Sequence, residues 1–183
     1  LLVVELCGLT FRGADLSKSN IIATALFGDE AAAGIVETSD AGHRISASGE
    51  YCWPNSLDVM GWRIEDDGLG VQFSRDIPQL VRTELRGAAD RFLSGAGIPF
   101  NAIDHFVFHP GGAKVLTALE EAFEIAAPGL TVGRSILRDF GNMSAATVLF
   151  VLKRILEQPI SGRSLLGALG PGFTAGFAVM EHD

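Results

Sequence analysis

The chain has 183 residues, of which 48% are hydrophobic and 20% charged, and its formal net charge at pH 7 is −8. This length and composition are typical of a globular chain that buries a core, with room for one domain or for one domain plus part of another. The negative charge disfavours a nucleic-acid partner, because phosphate backbones repel it and the fourteen lysines and arginines are scattered along the sequence.

Membrane insertion and disulfide stabilisation are both disfavoured by the sequence. No window approaches the roughly 18 uncharged apolar residues that a membrane-spanning helix needs. Two cysteines, Cys7 and Cys52, do not make a disulfide framework in a chain of this length. These features favour a cytoplasmic protein in a reducing compartment.

The first predicted element is a strand over Leu1–Leu6, which is apolar from its first residue. Such a strand normally lies inside a sheet with chain leading into it, so we expect this sequence to be a fragment of a longer polypeptide. The apolar segments Ile21–Phe27 and Ala31–Val36 predict one or two further strands. From Ser39 to Asn55 the composition changes to Ser, Gly, His, Asp and Asn, which predicts a connection between two structural units. We place the domain boundary there, between residues 45 and 46.

The second half of the chain alternates predicted helices and strands. A helix is predicted over Pro78–Gly95, since its apolar residues recur on one helical face. Phe106–Phe108 predicts a short strand that ends at His109, and a second helix follows it. A third helix is predicted over Ser144–Glu157, and Leu165–Met180 predicts two strands joined at a glycine turn. This alternation predicts a layered α/β domain with helices packed on a sheet.

Two side chains are candidates for chemistry. His109 lies at the end of an apolar strand and is followed by one proline and two glycines, which predicts an imidazole held rigidly at a sheet edge. Asn142 lies at the start of the third helix, where its amide and the positive end of the helix dipole would stabilise a developing negative charge. Each residue has a structural alternative, namely a satisfied histidine at a strand end and an N-cap asparagine. The residues alone leave both interpretations open.

Other motifs are weaker when each is taken alone. Gly170-Pro171-Gly172 is compatible with a plain turn, and Phe27 with an aromatic residue of the core. Cys7 follows a strand and lies two residues from Glu5, which disfavours a reactive thiolate, and Cys52 lies in a loop. The four histidines and two cysteines lack zinc-ligand spacing, and the glycine-rich stretches lack the pattern of a phosphate-binding loop. We therefore expect no metal.

Six short segments, taken together in order and spacing, resemble type III polyketide synthases, the chalcone synthase-like branch of the thiolase fold. They are Glu5–Arg12, Ala25–Asp29, Met60–Trp62, Phe108–Gly112, Gly141–Ser144 and Gly170–Gly172. The forms His-Pro-Gly-Gly and Gly-Asn-Met-Ser separate this group from the related ketoacyl-ACP synthase III enzymes, and the details are most similar to bacterial alkylpyrone and alkylresorcinol synthases. The resemblance implies a thiolase-like layered α-β-α architecture, with residues 1–45 ending the amino-terminal half and 46–183 forming the carboxy-terminal domain.

The resemblance implies an acyltransferase that condenses malonyl-CoA units onto an acyl-CoA starter, followed by cyclisation to an alkylpyrone or alkylresorcinol. His109 and Asn142 would hold the thioester carbonyl and stabilise the enolate formed on decarboxylation. The family's nucleophilic cysteine precedes the Glu-Leu-Cys segment, so Cys7 is not that residue and this chain alone should be inactive. His109 would also keep that cysteine as a thiolate, as cationic partners do. CoA thioesters are the implied substrates, without a further cofactor.

A substrate cavity is also implied by the resemblance. Phe27 matches the gatekeeper phenylalanine between the CoA tunnel and the cavity, and Cys7 and Thr10 match positions that line the cavity. Val71 occupies the position of a second gatekeeper phenylalanine of plant enzymes, so the smaller side chain would open space for a long acyl chain. Glu30 replaces a family glycine, which would strain the backbone if that position requires a positive φ.

Further contacts and partners follow from the same resemblance. Lys114 lies near the CoA-contacting surface, where a cation would meet a phosphate. The remaining substrate-contacting positions are Ser144, Gly170, Pro171 and Gly172. The implied partners are a second copy in a homodimer and the amino-terminal half of the same protein.

Two rival interpretations stay open. One is a non-catalytic thiolase-like module that serves as a dimer partner or a ligand-binding domain. The other is a ketoacyl-ACP synthase III relative that works in fatty-acid initiation and accepts acyl carrier protein instead of CoA.

Overall fold

A computed structural model describes residues 1–38, 42–126 and 128–182. Its strands are β1 (Leu2–Glu5), β2 (Glu30–Ala33), β3 (Arg44–Cys52), β4 (Met60–Glu65), β5 (Gly68–Phe73), β6 (His105–Phe108), β7 (Gly162–Gly170) and β8 (Thr174–His182). Its α-helices are α1 (Lys18–Leu26), α2 (Ile77–Leu80), α3 (Arg86–Gly95), α4 (Ala113–Ala122), α5 (Thr131–Phe140) and α6 (Ala145–Leu156). A π-helical turn over Val81–Leu85 joins α2 to α3, and short 3₁₀ turns cover Cys7–Thr10 and Phe100–Ala102.

The main sheet has four strands in the order β3-β8-β7-β6. Strands β7 and β8 form an antiparallel hairpin, and β3 pairs antiparallel with β8 at one edge. Strand β6 pairs in parallel with β7 at the other edge, so the chain between them must cross over, and α4, α5 and α6 fill this crossover. The parallel pairing continues past the end of β6, because the His109 N–H donates to the Gly167 carbonyl at 2.8 Å.

Helices cover both faces of this sheet. Phe108 and its neighbour Val107 are both buried, yet they belong to different hydrophobic clusters, because successive strand residues point to opposite faces. On one face Phe108 packs with residues of α3 and α4, including Leu93 and Leu116. On the other face Val107 packs with residues of α5 and α6. The observed arrangement confirms the predicted α-β-α layering.

Two small two-stranded sheets flank the main sheet. Strands β1 and β2 pair antiparallel and pack against α6, and a Glu5 carboxylate oxygen accepts from the Ala145 N–H at 3.4 Å. A carboxylate at the start of a helix interacts favourably with the helix dipole. Strands β4 and β5 form the second small sheet, a hairpin that packs against α1 and the 3₁₀ turn at Cys7–Thr10. These contacts bring residues 1–38 onto the carboxy-terminal layers.

Several predicted elements agree with the structure. The helix predicted over Pro78–Gly95 is a continuous helical segment over residues 77–95, interrupted only by the π-helical turn. The strand before His109, the helix after it and the helix after Asn142 are present as β6, α4 and α6. The two strands predicted around the glycine turn are β7 and β8.

Two element predictions were wrong. Ile21–Phe27, predicted as a strand, lies mainly in α1, because the Ser17 hydroxyl caps that helix by accepting from the Asn20 N–H at 3.2 Å. A seven-residue apolar run fits either a strand or a helix, so its periodicity could not decide. Ser39–Asn55, predicted as a connection, contains the nine-residue strand β3; residues 39–41 lie outside the described ranges. Its polar composition suits an edge strand with one exposed face.

The first strand is formed but it is not buried. Leu2 and Val4 are 70% and 55% exposed, and only the opposite side of β1 faces the core, where Val3 packs against the cluster on α5 and α6. Helix α5 and the hairpin β4–β5 were not predicted. The division between residues 45 and 46 stays a prediction, and β3 begins just before it, at Arg44.

Three of the four histidines meet at the end of the sheet opposite His109. His182 Nε2 lies 2.7 Å from the buried Ser164 hydroxyl, and His182 Nδ1 lies 3.0 Å from His43 Nδ1, so one ring must donate while the other accepts. The His105 ring is 6.3 Å from the His182 ring. Burial, with smaller contributions from His43 and His105, lowers the pKa of His182. The lowered pKa favours a neutral His182 in the folded chain.

We expect the chain to lose stability as the pH falls below about 6.5, the ordinary pKa of histidine. Because the pKa of His182 is lowered in the folded state, the unfolded chain binds the proton more readily and acid favours unfolding. His182→Gln retains hydrogen-bonding groups but does not titrate, so its urea midpoint should fall less than that of wild type between about pH 7.5 and 5.5. Equal pH slopes for the two proteins would contradict this expectation.

Candidate functional site

The candidate site forms where the segment after α1 meets the start of α6. The Asn142 N–H donates to the Leu26 carbonyl at 2.8 Å, and the Gly28 N–H donates to the Asn142 carbonyl at 3.1 Å. These bonds form an isolated parallel bridge between Phe27 and Asn142. Phe27 and Asn142, which are 115 positions apart in the sequence numbering, are thereby held side by side.

Gly141 makes this approach possible. Its φ is +75°, a conformation that glycine adopts at little cost, and a Cβ at this position would lie 2.5 Å from the Leu26 carbonyl oxygen. Any other residue would therefore combine a strained backbone with a steric clash. The glycine of Gly-Asn-Met-Ser thus sets the position of the asparagine that follows it.

The Asn142 amide has a defined orientation. Its Oδ1 accepts from the Ser144 N–H at 2.9 Å, and its Nδ2 donates to the Gly111 carbonyl at 3.3 Å. A backbone N–H can only donate and a carbonyl can only accept, so the two ends of the amide cannot be exchanged. One N–H of Nδ2 contacts Gly111, and the other makes no hydrogen bond within residues 1–38, 42–126 and 128–182. That second N–H is a donor available to a ligand.

The N-cap alternative for Asn142 explains only part of this geometry. Helix α6 begins at Ala145, and the cap position belongs to Ser144 rather than to Asn142. The Asn142 amide oxygen stabilises the turn before α6, and the Thr147 hydroxyl stabilises it further by accepting from the Met143 N–H at 2.9 Å. Capping therefore does not account for the amide nitrogen.

Ser144 occupies an unusual backbone conformation. Its φ is +50°, a region that residues other than glycine seldom adopt and that costs free energy. Asn142 holds the Ser144 N–H, and the Thr147 hydroxyl donates to the Ser144 carbonyl at 2.8 Å. The surrounding hydrogen bonds thus maintain a strained turn directly beside the candidate amide.

His109 is fixed by its backbone, whereas its ring has no hydrogen-bond partner in the described part of the chain. The Gly111 N–H donates to the His109 carbonyl at 3.0 Å, which folds the loop tightly after β6. Burial lowers the pKa of His109 to about 4, so the imidazole is neutral at pH 7. A neutral imidazole offers one N–H donor and one acceptor. The role of His109 as the cationic partner of a thiolate, which the resemblance implies, stays a prediction.

Gly111 brings the two candidates together. Its carbonyl accepts from the Asn142 amide, its N–H bonds to the His109 backbone, and a Cβ on it would lie 3.6 Å from His109 Nε2. The small residue therefore leaves the ring edge uncovered beside the amide. Gly111 was predicted only as part of the His-Pro-Gly-Gly motif, although its paired glycines indicate a close backbone approach.

The predicted gatekeeper Phe27 contacts the strand that carries Val71. The Phe27 ring packs against the Phe73 ring with centroids 5.8 Å apart. Val71 and Phe73 are two residues apart on β5, so their side chains share one face of the hairpin. Phe73 was not predicted, although its position two residues after Val71 could have indicated it. Thr10 lies in the 3₁₀ turn that packs against β5, and its hydroxyl donates to the Cys7 carbonyl at 2.8 Å.

The two cysteines lie in different environments. Cys7 is buried, and burial together with the charges of Glu5 and Asp29 raises the pKa of its thiol. A raised pKa disfavours the thiolate, which is the reactive form. Cys52 is exposed, and its sulfur lies 3.7 Å from the Gly172 carbonyl oxygen.

The glycine turn connects β7 to β8 and contacts β4. The Gly172 N–H donates to the Met60 carbonyl at 2.8 Å, and the Ser56 hydroxyl donates to the Gly172 carbonyl at 2.9 Å. Pro171 lies between Gly170 and Gly172 in this turn. The turn shows no hydrogen bond to His109 or Asn142 in the described ranges. Its predicted substrate contact therefore stays a prediction.

Lys114 and Glu30 complete the predicted positions. Lys114 is exposed in the first turn of α4, five positions after His109 in the sequence numbering. Glu30 begins β2 and pairs with Glu5, so its backbone is extended and the expected positive-φ strain does not arise. The substitution of glycine at this position is accommodated by the strand.

Comparison with known proteins identifies the family. Residues 44–181 match the family of chalcone and stilbene synthases, C-terminal domain. This chain belongs to the chalcone and stilbene synthase family. It is 40% identical to a putative chalcone synthase of Bacillus subtilis strain 168, over 93% of this chain and 50% of that protein. It is 39% identical to a 1,3,6,8-tetrahydroxynaphthalene synthase of Streptomyces peucetius, over 99% of this chain and 50% of that protein.

Solved structures show the same fold. The 1,3,6,8-tetrahydroxynaphthalene synthase of Streptomyces coelicolor, a bacterial type III polyketide synthase, matches with a TM-score of 0.86 at 24% identity, over 100% of this chain and 53% of that one. PKS-I of the brown alga Ectocarpus siliculosus matches with a TM-score of 0.86 at 21% identity, over 100% of this chain and 52% of that one. The predicted thiolase-like fold is confirmed. The chain spans about half the length of the curated relatives it matches.

Two further observations bear on the nature of the site. Within residues 1–38, 42–126 and 128–182, no group of three or more His, Cys, Asp or Glu side chains is arranged to hold a metal ion. In the same ranges, every helix is too short or too polar to span a bilayer.

Gly141→Ala should destabilise this family member by at least about 1–3 kcal/mol, because the new Cβ would meet the Leu26 carbonyl at a positive φ. Urea unfolding followed by circular dichroism measures the change. Gly95→Ala is the matched control, since a Cβ there meets open space at the end of α3 and should leave stability unchanged or raised. Equal midpoints for Gly141→Ala and wild type would show that the Leu26–Asn142 approach does not need glycine.

Proposed function

We propose that this chain supplies the oxyanion-stabilising side of an acyltransferase of polyketide biosynthesis. The observation that carries the proposal is the arrangement around Gly111, which places an oriented Asn142 amide and a neutral His109 ring at one loop. Hydrogen-bond donors held in a water-poor site stabilise developing negative charge more strongly than they would in water. Membership of the chalcone and stilbene synthase family supports this chemistry.

The proposed reaction begins with the thioester carbonyl of malonyl-CoA between the two donors. The bond between the α-carbon and the carboxylate breaks, carbon dioxide leaves, and the electron pair becomes an enolate whose oxygen accepts from His109 and Asn142. The enolate carbon then attacks an acyl thioester on a cysteine, a carbon–carbon bond forms, and the cysteine thiolate leaves. Both donors act without a proton changing place in the decarboxylation, which suits a neutral imidazole.

The acyl-carrying cysteine is proposed to come from the amino-terminal half of the same polypeptide. Cys7 has a raised pKa, and Cys52 is exposed at the end of strand β3 rather than in the predicted loop, so neither is proposed as the carrier. Large apolar side chains in residues 1–36 are exposed, including Leu9 at 76%, Leu16 at 81% and Ile35 at 94%. An apolar surface of this kind usually contacts another protein surface. We propose that the amino-terminal half covers it and that two copies of the whole protein form a homodimer in the cytoplasm.

The proposed starter is a long-chain acyl-CoA, and the proposed product is an alkylpyrone or alkylresorcinol. Val71 supports this choice, because it stands where plant enzymes of the family carry a second gatekeeper phenylalanine. It shares its face of β5 with Phe73, which packs on Phe27, so its size affects the space beside the gatekeeper. The relatives named above include synthases of 1,3,6,8-tetrahydroxynaphthalene, and product analysis distinguishes that outcome.

In the whole protein, which is proposed to include the amino-terminal half, Asn142→Asp should lower the rate of carbon dioxide release from malonyl-CoA by about 10²–10³-fold. The aspartate keeps an oxygen for the Ser144 N–H but loses the donor nitrogen, so it separates a turn-stabilising role from an oxyanion role. His109→Ala should cause a loss of similar size, and the 183-residue chain alone should release none. Turnover at the wild-type rate in either variant would exclude the role given to that residue.

Val71→Phe should reduce kcat/KM for long acyl-CoA starters by at least about tenfold and leave short starters nearly unaffected, because the added ring fills the space proposed for the alkyl chain. Competition between a long and a short acyl-CoA starter directly measures the ratio of their kcat/KM values. A uniform loss for all starters would indicate a folding defect, and an unchanged ratio would remove Val71 from the cavity. Replacing CoA starters with acyl carrier protein thioesters tests the ketoacyl-ACP synthase III alternative.

A further inference from the structure

The hairpin β4–β5 carries Val71 and Phe73 but forms a sheet of its own, separate from the main sheet. At the end where β4 begins and β5 finishes, the Gly172 N–H donates to the Met60 carbonyl at 2.8 Å. At the same end the Phe73 ring packs on the Phe27 ring. A two-stranded hairpin is at best marginally stable by itself. The contacts at its opposite end therefore affect where its side chains lie.

The turn of the hairpin is held by Arg12. Asp67 lies in the two-residue turn between the strands, and its Oδ1 accepts from the Arg12 Nε at 2.8 Å and lies 2.7 Å from the Arg12 Nη2. Gly70 lets the guanidinium lie against β5, because a Cβ there would be 3.1 Å from the Arg12 Nη1. In the part of the chain that the structure describes, residues 66 and 67 make no other hydrogen bond or ion pair with a different element.

Arg12 is itself fixed by the segment in which it lies. Asn20, which is buried at the start of α1, donates from its Nδ2 to the Arg12 carbonyl at 2.8 Å and to the Asp15 carbonyl at 2.7 Å. The Asp15 carboxylate accepts from the Arg12 Nη1 at 3.1 Å and from the Ser17 N–H at 2.8 Å. The Arg12 side chain is only 15% exposed. Its guanidinium therefore meets Asp67 in one defined orientation, and an ion pair within such a network contributes more than an isolated surface pair.

We propose that Arg12, through Asp67, positions the hairpin β4–β5 against the turn Cys7–Thr10 and thereby sets the width of the space that selects the acyl starter. This inference rests on the proposed function, because it takes the space beside Val71 as the site of the starter's alkyl chain. Both α1 and the turn Cys7–Thr10 pack against β5, and Arg12 lies between them in the sequence. A hairpin released at its turn would tilt about the end that carries Phe73 and carry Val71 with it. Arg12 is thus a positioning residue for starter specificity.

Competition between a long and a short acyl-CoA starter in the whole protein tests the proposal in Arg12→Gln and in Asp67→Asn. Each variant releases the turn, so the ratio of kcat/KM for the long starter to that for the short one should fall by about two- to fivefold, the range expected for the loss of a partly exposed ion pair. Because both starters compete for the same enzyme molecules, a smaller folded fraction does not change this ratio. A ratio equal to that of wild type would make the ion pair a merely stabilising contact and would overturn the proposal.

Arg63→Gln and Asp66→Asn are the matched controls. Both residues are exposed on the same hairpin, and neither makes an ion pair within residues 1–38, 42–126 and 128–182, so the starter ratio should equal that of wild type. A similar fall in either control would attribute the effect to charge alone and would overturn the proposal. Arg12→Gln combined with Asp67→Asn should change the ratio no more than either single variant, because both remove the same contact. Independent, multiplying effects of the two substitutions would also overturn it.

Hydrogen exchange of the hairpin backbone distinguishes failure of this inference from failure of the proposed function. Exchange within residues 68–73 should be about two- to fivefold faster in Arg12→Gln than in Arg63→Gln, because the released turn opens more often. Faster exchange in a whole protein that accepts neither starter would support positioning by Arg12 and show that the proposed function is wrong. Unchanged exchange in a protein that turns over both starters would overturn the positioning role while the proposed reaction stands.

Discussion

The candidate site depends on one close backbone crossing, in which the segment Leu26–Gly28 passes beside Asn142. Two backbone hydrogen bonds hold this crossing, and Gly141 allows it because a side chain there would meet the Leu26 carbonyl. With its backbone satisfied by this bridge, Asn142 uses its side-chain oxygen for the Ser144 turn and directs its nitrogen towards Gly111. The donor orientation is therefore a consequence of the crossing.

The electrostatics of the site follow from its burial. No cation or carboxylate contributes to the lowered pKa of His109, which comes from removal of the ring from water alone. Such a ring is a neutral donor, and its hydrogen bond to an oxyanion is strengthened by the same low dielectric that disfavours its protonation. A thiolate brought beside it would raise its pKa again, because an opposite charge favours the imidazolium. The protonation state of His109 would thus respond to the partner half of the site.

Long elements with clear periodicity could be predicted from the sequence, and short or polar ones could not. The helices around residues 77–95 and after Asn142 show apolar spacing that fits only a helix. Ile21–Phe27 was ambiguous, since the Ser17 cap and packing against β5 decide in favour of α1. Strand β3 has the composition of a loop, and its pairing with β8 is a long-range contact that local sequence does not encode.

The sequence could predict the residues of the candidate site, but it could not predict how they are arranged. His109 and Asn142 were predicted because their motifs occur together with other motifs of the family. The contact of both residues with Gly111 and the positive φ of Ser144 could be seen only in the structure. Capping and oxyanion stabilisation were alternatives in the sequence, and the structure shows that different ends of the same amide are available to each. Phe73 was missed because the hairpin β4–β5, which puts it on the same face as Val71, was not predicted.

A structure of the whole protein with a non-reactive malonyl-CoA analogue bound tests most directly whether His109 and Asn142 together hold the thioester oxygen. We predict that the thioester oxygen lies at about 2.7–3.1 Å from both a ring nitrogen of His109 and the Asn142 Nδ2. A thioester oxygen beyond hydrogen-bonding distance of either residue, with the Asn142 amide still directed only at Gly111, would contradict it.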